Sequence, residues 1–126
     1  MAATLLCGCA SEPDAPACTA QAGFELGYRN AADTSDCGPD HAGVFLDGYL
    51  LGLKLSNIEQ AAAINQREIE FLESQLQQGS STLSDTELQF QLALLNQEKQ
   101  RLSVSLTILE NQAEALRKAT SQPVSR

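Results

Sequence analysis

Residues 51–76 read LGLKLSNIEQAAAINQREIEFLESQL, and residues 88–116 read LQFQLALLNQEKQRLSVSLTILENQAEAL. In the first stretch, apolar side chains recur at alternating steps of four and three residues, and Asn65 is the one polar exception. The second stretch has the same spacing, with Lys99 as its one polar exception. Such sustained spacing is typical of helices that pair through a heptad seam. The two stretches therefore predict two long helices that pack on each other.

The segment that joins the two stretches is rich in Gly, Ser and Thr, and it predicts a turn at 77–85. Folding the chain there pairs seam positions whose residue numbers add to 164, so that Asn65 faces Lys99. The polar exceptions of the two arms thus meet in one register. We predict an all-α protein with a short N-terminal helix packed on a long antiparallel coiled-coil helical hairpin at 51–119, with a polar seam layer of Asn65 and Lys99.

Six further apolar side chains of these arms lie outside the seam. They are Ile64, Phe71, Phe90, Leu94, Val104 and Ile108. One interpretation is that the short helix before the hairpin folds back over part of this set. However, a helix of about 12 residues is about 18 Å long and cannot cover a hairpin of more than about 30 Å. We therefore expect some of the six to form a partner surface for a second copy or for another protein.

Residues 18–50 predict a helical head that precedes the hairpin. A short helix is expected from Ala20 to Ala31, and Pro39 suits the first position of the next helix. Four glycines recur one turn apart on these two helices, which favours close helix crossing, because glycine otherwise destabilises a helix interior. A small-ligand cleft with a glycine floor is the alternative. The residues assigned to head packing or a ligand are Gly23, Phe24, Gly27, Tyr28, Phe45, Gly48, Tyr49 and Gly52.

Cys18 and Cys37 flank the short helix. A disulfide between them would close a loop of about 20 residues and stabilise the fold by about 3 kcal/mol in the chain-entropy model. The rival is a metal site that uses Cys37 and His41. Because zinc takes three or four protein ligands, this pair alone is a weak signal. We predict the disulfide, no metal and no other cofactor.

The N-terminal residues Leu6, Cys7, Gly8 and Cys9 resemble the end of a bacterial lipoprotein signal peptide, where Leu-x-small precedes the acylated cysteine. The apolar stretch is short and no basic residue precedes it, so residues 1–9 would be a truncated signal remnant. The resemblance implies lipidation of Cys9 and a flexible tether at 10–17. No aspartate follows the cysteine, which implies the periplasmic face of the outer membrane. A frayed apolar N-terminus is the alternative.

A second resemblance concerns residues 23–54, which carry a Gly-x-x-x-Gly helix, a cysteine, a Pro-Asp pair and Tyr-x-x-Gly-Leu. This pattern resembles a family of Gram-negative cell-envelope lipoproteins defined as a domain of unknown function. The matching residues are Gly23, Gly27, Tyr28, Cys37, Pro39, Asp40, Tyr49, Gly52 and Leu53. The resemblance implies an envelope location and no known activity.

The charge of the chain excludes some classes of function. Its 16 acidic and 8 basic residues leave a net charge of −8, which argues against nucleic-acid binding and against electrostatic adhesion to anionic lipid. The chain has one histidine, no Gly-x-Ser-x-Gly elbow and no Gly-rich phosphate loop, so we predict that the protein is not an enzyme. Residues 120–126 are expected to be a disordered tail.

We predict a non-enzymatic envelope lipoprotein whose coiled-coil surface serves self-association or binds an envelope partner. The alternative is a lipoprotein that binds a small ligand or assists an enzyme through the Gly/Tyr head. A third option is an adaptor resembling the helical hairpins of efflux assemblies, although no β-rich domain of the kind that carries such hairpins is evident in this sequence.

Overall fold

The computed structural model of the protein describes residues 18–32, 37–79 and 82–121. Most of these residues are helical, and no strand occurs among them. The all-α class predicted from the sequence is therefore confirmed. The three helices are α1 (Ala20–Tyr28), α2 (Pro39–Gln78) and α3 (Asp85–Ser121).

Local hydrogen bonds set the ends of α1. The hydroxyl of Thr19 accepts a backbone N–H of the first turn at 3.0 Å, which makes Thr19 the N-cap. At the other end, Asn30 has a positive φ of 61°. The N–H groups of Asn30 and Ala31 donate back to carbonyls of the last turn at 2.9 and 3.1 Å, the pattern of a Schellman motif. This motif ends α1 at Tyr28, so the expectation that the helix continues to Ala31 was wrong.

The long helix α2 begins at Pro39, as predicted. Proline is favoured there because the first helical N–H has no partner within the helix. The helix ends at Gln78, beyond the predicted start of the turn at residue 77. Gly79 then takes a φ of 64° and donates its N–H to the carbonyl of Gln75 at 2.9 Å. Glycine at this position ends the helix without the steric cost of a Cβ.

A capping box starts α3. The Ser84 hydroxyl accepts the N–H of Glu87 at 3.2 Å, and the Glu87 carboxylate accepts the N–H of Ser84 at 3.1 Å. Ser84 is therefore the N-cap, and Asp85 is the first helical residue. At its other end α3 reaches Ser121. The helix thus extends into the segment predicted as a disordered tail, of which residues 122–126 lie outside the described part of the chain.

The described residues pack as two compact units. The three-helix unit contains α1, residues 39–56 of α2 and residues 110–121 of α3, and the two-helix unit contains residues 57–109. The predicted head ended at residue 50, whereas this division falls after Ser56. The reason is that α1 contacts the backbone of α2 as far along as Gly52 and Leu53. The last turns of α3, which the sequence analysis assigned to the hairpin, also belong to the three-helix unit.

In the three-helix unit, α1 crosses α2 with backbone against backbone. A Cβ placed on Gly23 would collide with the carbonyl oxygen of Phe45, and one placed on Gly48 would collide with that of Ala20. The other two glycines of the crossing are equally close to the opposite helix. Hydrogen is therefore the only side chain that fits at these positions. The four glycines of the crossing are Gly23, Gly27, Gly48 and Gly52.

Aromatic side chains pair within each of the two helices, and one hydrogen bond links α2 to the segment after α1. The rings of Phe24 and Tyr28 stack with centroids 5.9 Å apart, and those of Phe45 and Tyr49 with centroids 6.5 Å apart. Phe45 is buried. The Tyr49 hydroxyl of α2 donates to the carbonyl of Ala31 at 2.6 Å, which links α2 to the segment that follows α1.

A disulfide joins Cys18 to Cys37, with the two Cα atoms 5.5 Å apart. Cys18 lies two residues before α1 and Cys37 two residues before α2, so the bond joins the two ends of the segment that contains α1. The alternative metal pair of Cys37 and His41 is incompatible with this bond, because the Cys37 sulfur is no longer a thiolate.

The core of the two-helix unit consists of seam positions. Ile69, Leu88 and Leu102 are buried there, and Asn65 is the buried polar residue among them. The 4-3 spacing of the sequence thus selects the side chains that leave solvent, because positions three and four apart share one face of an α-helix.

We predict that Gly48→Ala lowers the free energy of unfolding by at least about 2 kcal/mol, because its methyl group meets the Ala20 backbone. Gly43→Ala is the matched control, since a Cβ at Gly43 meets nothing within 4 Å. In that control the free energy of unfolding should rise by about 0.5–1 kcal/mol, because alanine has a higher helix propensity than glycine. Urea unfolding followed by circular dichroism measures both, and equal effects of the two substitutions would contradict the glycine crossing.

We also predict that replacing Cys18 and Cys37 together by alanine lowers the free energy of unfolding by about 3 kcal/mol, since the bond closes a loop with a sequence separation of 19. Reduction of the unsubstituted protein should bring its unfolding midpoint close to that of the double variant. A double variant as stable as the oxidised protein would show that the bond contributes nothing to the fold.

Candidate functional site

The six apolar side chains predicted as a partner surface all lie in the two-helix unit, and all are exposed. Their exposed fractions run from 49% for Ile64 to 64% for Phe90. The interpretation that the short helix would cover part of the set is therefore wrong. Leaving such side chains in water forgoes the free energy of their burial, about 1.5–3 kcal/mol for each large one. Several large apolar side chains exposed on one small unit are typical of a contact surface.

Three of the six line a groove in the two-helix unit. The groove has a volume of about 540 Å³, and Ile64, Phe71 and Leu94 provide its apolar walls. A concave apolar site with a few polar groups at its edge suits an inserted apolar side chain. The remaining residues that line it are Arg67, Glu68, Leu72, Gln91 and Leu95.

A second heptad stripe runs along α3 and was missed by the sequence analysis. Counting from Phe90 in steps of four and three reaches four exposed apolar side chains and two exposed polar ones. Gln97 and Arg101 interrupt the apolar residues of this stripe, so apolar spacing alone does not reveal it. We call this set the outer stripe. Its members are Phe90, Leu94, Gln97, Arg101, Val104 and Ile108.

The charge within the outer stripe is compensated by a neighbour. The guanidinium of Arg101 donates to the Glu98 carboxylate through Nε at 3.0 Å and through a second nitrogen. These hydrogen bonds hold the pKa of Glu98 below its usual value and raise the pKa of Arg101. Both side chains are exposed, so the pair adds little stability. Its consequence is that the stripe carries no uncompensated cation at its centre.

The predicted polar seam layer is only partly as expected. Asn65 is 5% exposed, and its amide Nδ2 donates to the backbone carbonyl of Leu95 at 3.0 Å. In an α-helix that carbonyl points towards residue 99, so Asn65 lies close to the predicted level. The partner is nevertheless the backbone and not Lys99, whose long side chain is exposed. Glu98, the neighbour of Lys99 in the chain, pairs with Arg101.

The Gly/Tyr head does not form the glycine-floored cleft of the alternative reading. The opposite helix backbone occupies the space in front of its four glycines, and the Tyr49 hydroxyl is bonded to Ala31. A shallow groove of about 400 Å³ lies beside the crossing, next to Ala20, Val44 and Gly48. A second groove, of about 230 Å³, is lined by Phe24 and Leu55 of the same unit.

Two further features bear on metal and membrane attachment. Within 18–32, 37–79 and 82–121, no group of three or more His, Cys, Asp or Glu side chains is placed to hold a metal ion. No helix in the same ranges is long and apolar enough to span a bilayer. The predicted lipidation site Cys9 and the tether at 10–17 lie outside the described residues, and they remain predictions.

Comparison with known proteins adds no assignment, because no family model, no curated protein and no solved structure matches this chain. The resemblance of residues 23–54 to envelope lipoproteins therefore remains a prediction.

We predict that Asn65→Leu raises the free energy of unfolding by about 1 kcal/mol, because burial of the leucine outweighs one hydrogen bond. The Leu95 carbonyl keeps its helical partner in this variant. Asn96→Leu is the matched control, since Asn96 also donates its amide to a backbone carbonyl, that of Leu92 in its own helix, but is exposed. Its effect should stay within about 0.5 kcal/mol. Denaturant unfolding checks both, and a large loss for Asn65→Leu would contradict a seam position.

Proposed function

We propose that this protein is a non-enzymatic lipoprotein of the Gram-negative cell envelope, anchored through Cys9 at the periplasmic face of the outer membrane. Its two-helix unit is an antiparallel coiled-coil hairpin that offers an apolar surface to a second copy or to an envelope partner. The observation that carries the proposal is the set of six exposed apolar side chains on a unit whose buried side chains are all seam positions.

Three observations support the hairpin. Its buried side chains are seam positions from both arms, Ile69 from α2 and Leu88 and Leu102 from α3. The hydrogen bond from Asn65 to Leu95 joins the arms close to the predicted level. Helix-ending and helix-starting motifs stand on either side of the turn, at Gly79 and Ser84.

The exposed area supports a binding role for this surface. Phe71 and Phe90 are 62% and 64% exposed, and at about 200 Å² for each aromatic side chain they leave roughly 250 Å² in solvent. The four aliphatic members of the set add to this area. The largest apolar patch of a typical monomer covers about 300–600 Å² and is often functional. The exposed apolar area of these six side chains is therefore comparable to that of such a patch.

The location rests on different evidence. Disulfides such as the one between Cys18 and Cys37 persist in oxidising compartments, which include the bacterial periplasm. The resemblance of residues 6–9 to a lipoprotein processing site supplies the anchor. A partner of the apolar surface would accordingly be another envelope protein or a second lipoprotein molecule.

The alternative is a lipoprotein that binds a small ligand or assists an enzyme through the head. It has the shallow groove beside Val44 and Gly48 in its favour. The closed glycine faces and the bonded Tyr49 hydroxyl count against it. We therefore rank it second.

We predict that a photoreactive phenylalanine analogue placed at Phe90 in the full chain crosslinks in native cells to an envelope protein or to the chain itself. The same analogue at Gln89 is the matched control, because this exposed neighbour on α3 points to a different side of the helix. Phe71→Glu should abolish the Phe90 adduct by placing a charge in the groove. Equal adducts at both positions, or none at Phe90, would refute the proposed surface.

A further inference from the structure

The outer stripe of α3 has the same pattern in both directions. Phe90 and Leu94 are separated by four residues, as are Val104 and Ile108, and the polar residues Gln97 and Arg101 lie between the two pairs. Each member therefore has a counterpart at the same distance on the other side of residue 99. The apolar pairs are the ends of the stripe and the polar pair is its centre.

We propose that α3 docks antiparallel on α3 of a second copy along the outer stripe, about a two-fold axis at residue 99. This inference rests on the proposed function and names its partner. In that register Phe90 meets Ile108 of the second copy, Leu94 meets Val104, and Gln97 meets Arg101. Each contact occurs twice, as an isologous interface requires. A different partner protein would not need a stripe that is symmetric about its own centre.

The groove of the two-helix unit extends this contact. Leu94 belongs to the outer stripe and also lines the groove together with Ile64 and Phe71. A second helix that lies along the stripe brings the side chain of Val104 to the level of Leu94, beside the opening of the groove. Burial of Ile64 and Phe71 then adds side chains of α2 to an interface that begins on α3. The two-helix units of the two copies together form a four-helix arrangement.

Charge selects the antiparallel over the parallel orientation. A parallel pairing in register would place Arg101 against Arg101, whereas the antiparallel register places it against the uncharged amide of Gln97. The Glu98 carboxylate already accompanies each guanidinium. Like charges are thereby kept apart at the centre of the contact, where repulsion would cost most.

The distribution of acidic residues selects this face over others. Within residues 57–78 and 85–109, the side of the two helices that faces away from the groove carries three acidic residues and no basic residue. The acidic residues are Glu59, Glu70 and Glu73. The whole chain has a net charge of −8. Two copies therefore repel unless they approach through a face with balanced charge, and the groove and outer stripe provide one with Arg67 beside Glu68 and Arg101 beside Glu98.

The size of the contact predicts a weak dimer. The stripe from Phe90 to Ile108 is about 27 Å long at 1.5 Å per residue. A single helix pair of this length, with the groove residues, lies at the low end of specific interfaces, where dissociation constants are typically on the order of micromolar. A membrane anchor would raise the effective concentration and shift such a dimer towards association.

The first test is the solution mass of the full chain carrying Cys7→Ser and Cys9→Ser, measured by sedimentation equilibrium over a range of concentrations. We expect a reversible dimer. Phe90→Glu should raise its dissociation constant at least about 100-fold, because symmetry places the substitution in the interface twice. Ile108→Lys should act alike, and combining the two should restore dimerisation to within about tenfold, since the new charges face each other. Gln89→Glu is the charge-matched control and should have no effect.

The second test fixes the register by disulfide trapping in the same background. Leu94→Cys combined with Val104→Cys should give a covalent dimer on mild oxidation. Leu94→Cys alone should not, because the two copies of residue 94 are then about 15 Å apart along the helix. A covalent dimer from the single variant, or a failure of the charge exchange to restore dimerisation, overturns the antiparallel register.

A protein that stays monomeric at several hundred micromolar (on the order of 100 times the expected dissociation constant) overturns the second copy as the partner. This result is distinguishable from failure of the proposed function. If the protein is monomeric, an adduct at Phe90 with a different envelope protein would still support the proposed partner surface. Absence of any adduct at Phe90 would refute both the dimer and the partner surface.

Discussion

Each long helix of this protein carries more apolar side chains than one seam can bury. An α-helix has 3.6 residues per turn and can bury one stripe of side chains against a single neighbouring helix. On both α2 and α3 this stripe consists of the seam positions. Ile69, Leu88 and Leu102 leave solvent in this way, while Phe71 and Phe90 remain in it. The exposed surface is thus a direct consequence of pairing two helices that each have apolar residues on two sides. Stability comes from the first stripe, and the proposed association comes from the second.

The three-helix unit stabilises α1, a helix that is too short to be stable alone. An isolated helix of the length of α1 would be marginal in water. Three interactions hold α1 in place. They are the disulfide whose two cysteines flank the helix, the contact of its glycines with the α2 backbone, and the hydrogen bond from Tyr49 to Ala31. The glycines allow the two backbones to approach closely, but they also raise the conformational entropy that is lost on folding. The disulfide lowers the entropy of the unfolded chain and so stabilises the folded state.

The proposed association follows from charge as much as from apolar area. Two copies of a chain with a net charge of −8 repel each other, and a face on which acidic and basic groups are paired lowers that repulsion. The ion pair of Glu98 and Arg101 contributes little to folding because both groups are exposed. Its place beside Gln97 nevertheless determines which orientation of two helices avoids like charges.

The sequence by itself determined the helical class, the start of α2 at Pro39, the glycine faces and the six apolar residues outside the seam. These features depend on periodicity and on single-residue stereochemistry, which are local. Tertiary structure decided the rest. The end of α1 depends on the positive φ of Asn30, the partner of Asn65 is a carbonyl of the opposite helix and not Lys99, and the first unit continues to Ser56 because α1 packs that far along α2. Each of these depends on which atoms of distant segments meet, and no spacing within one segment specifies that.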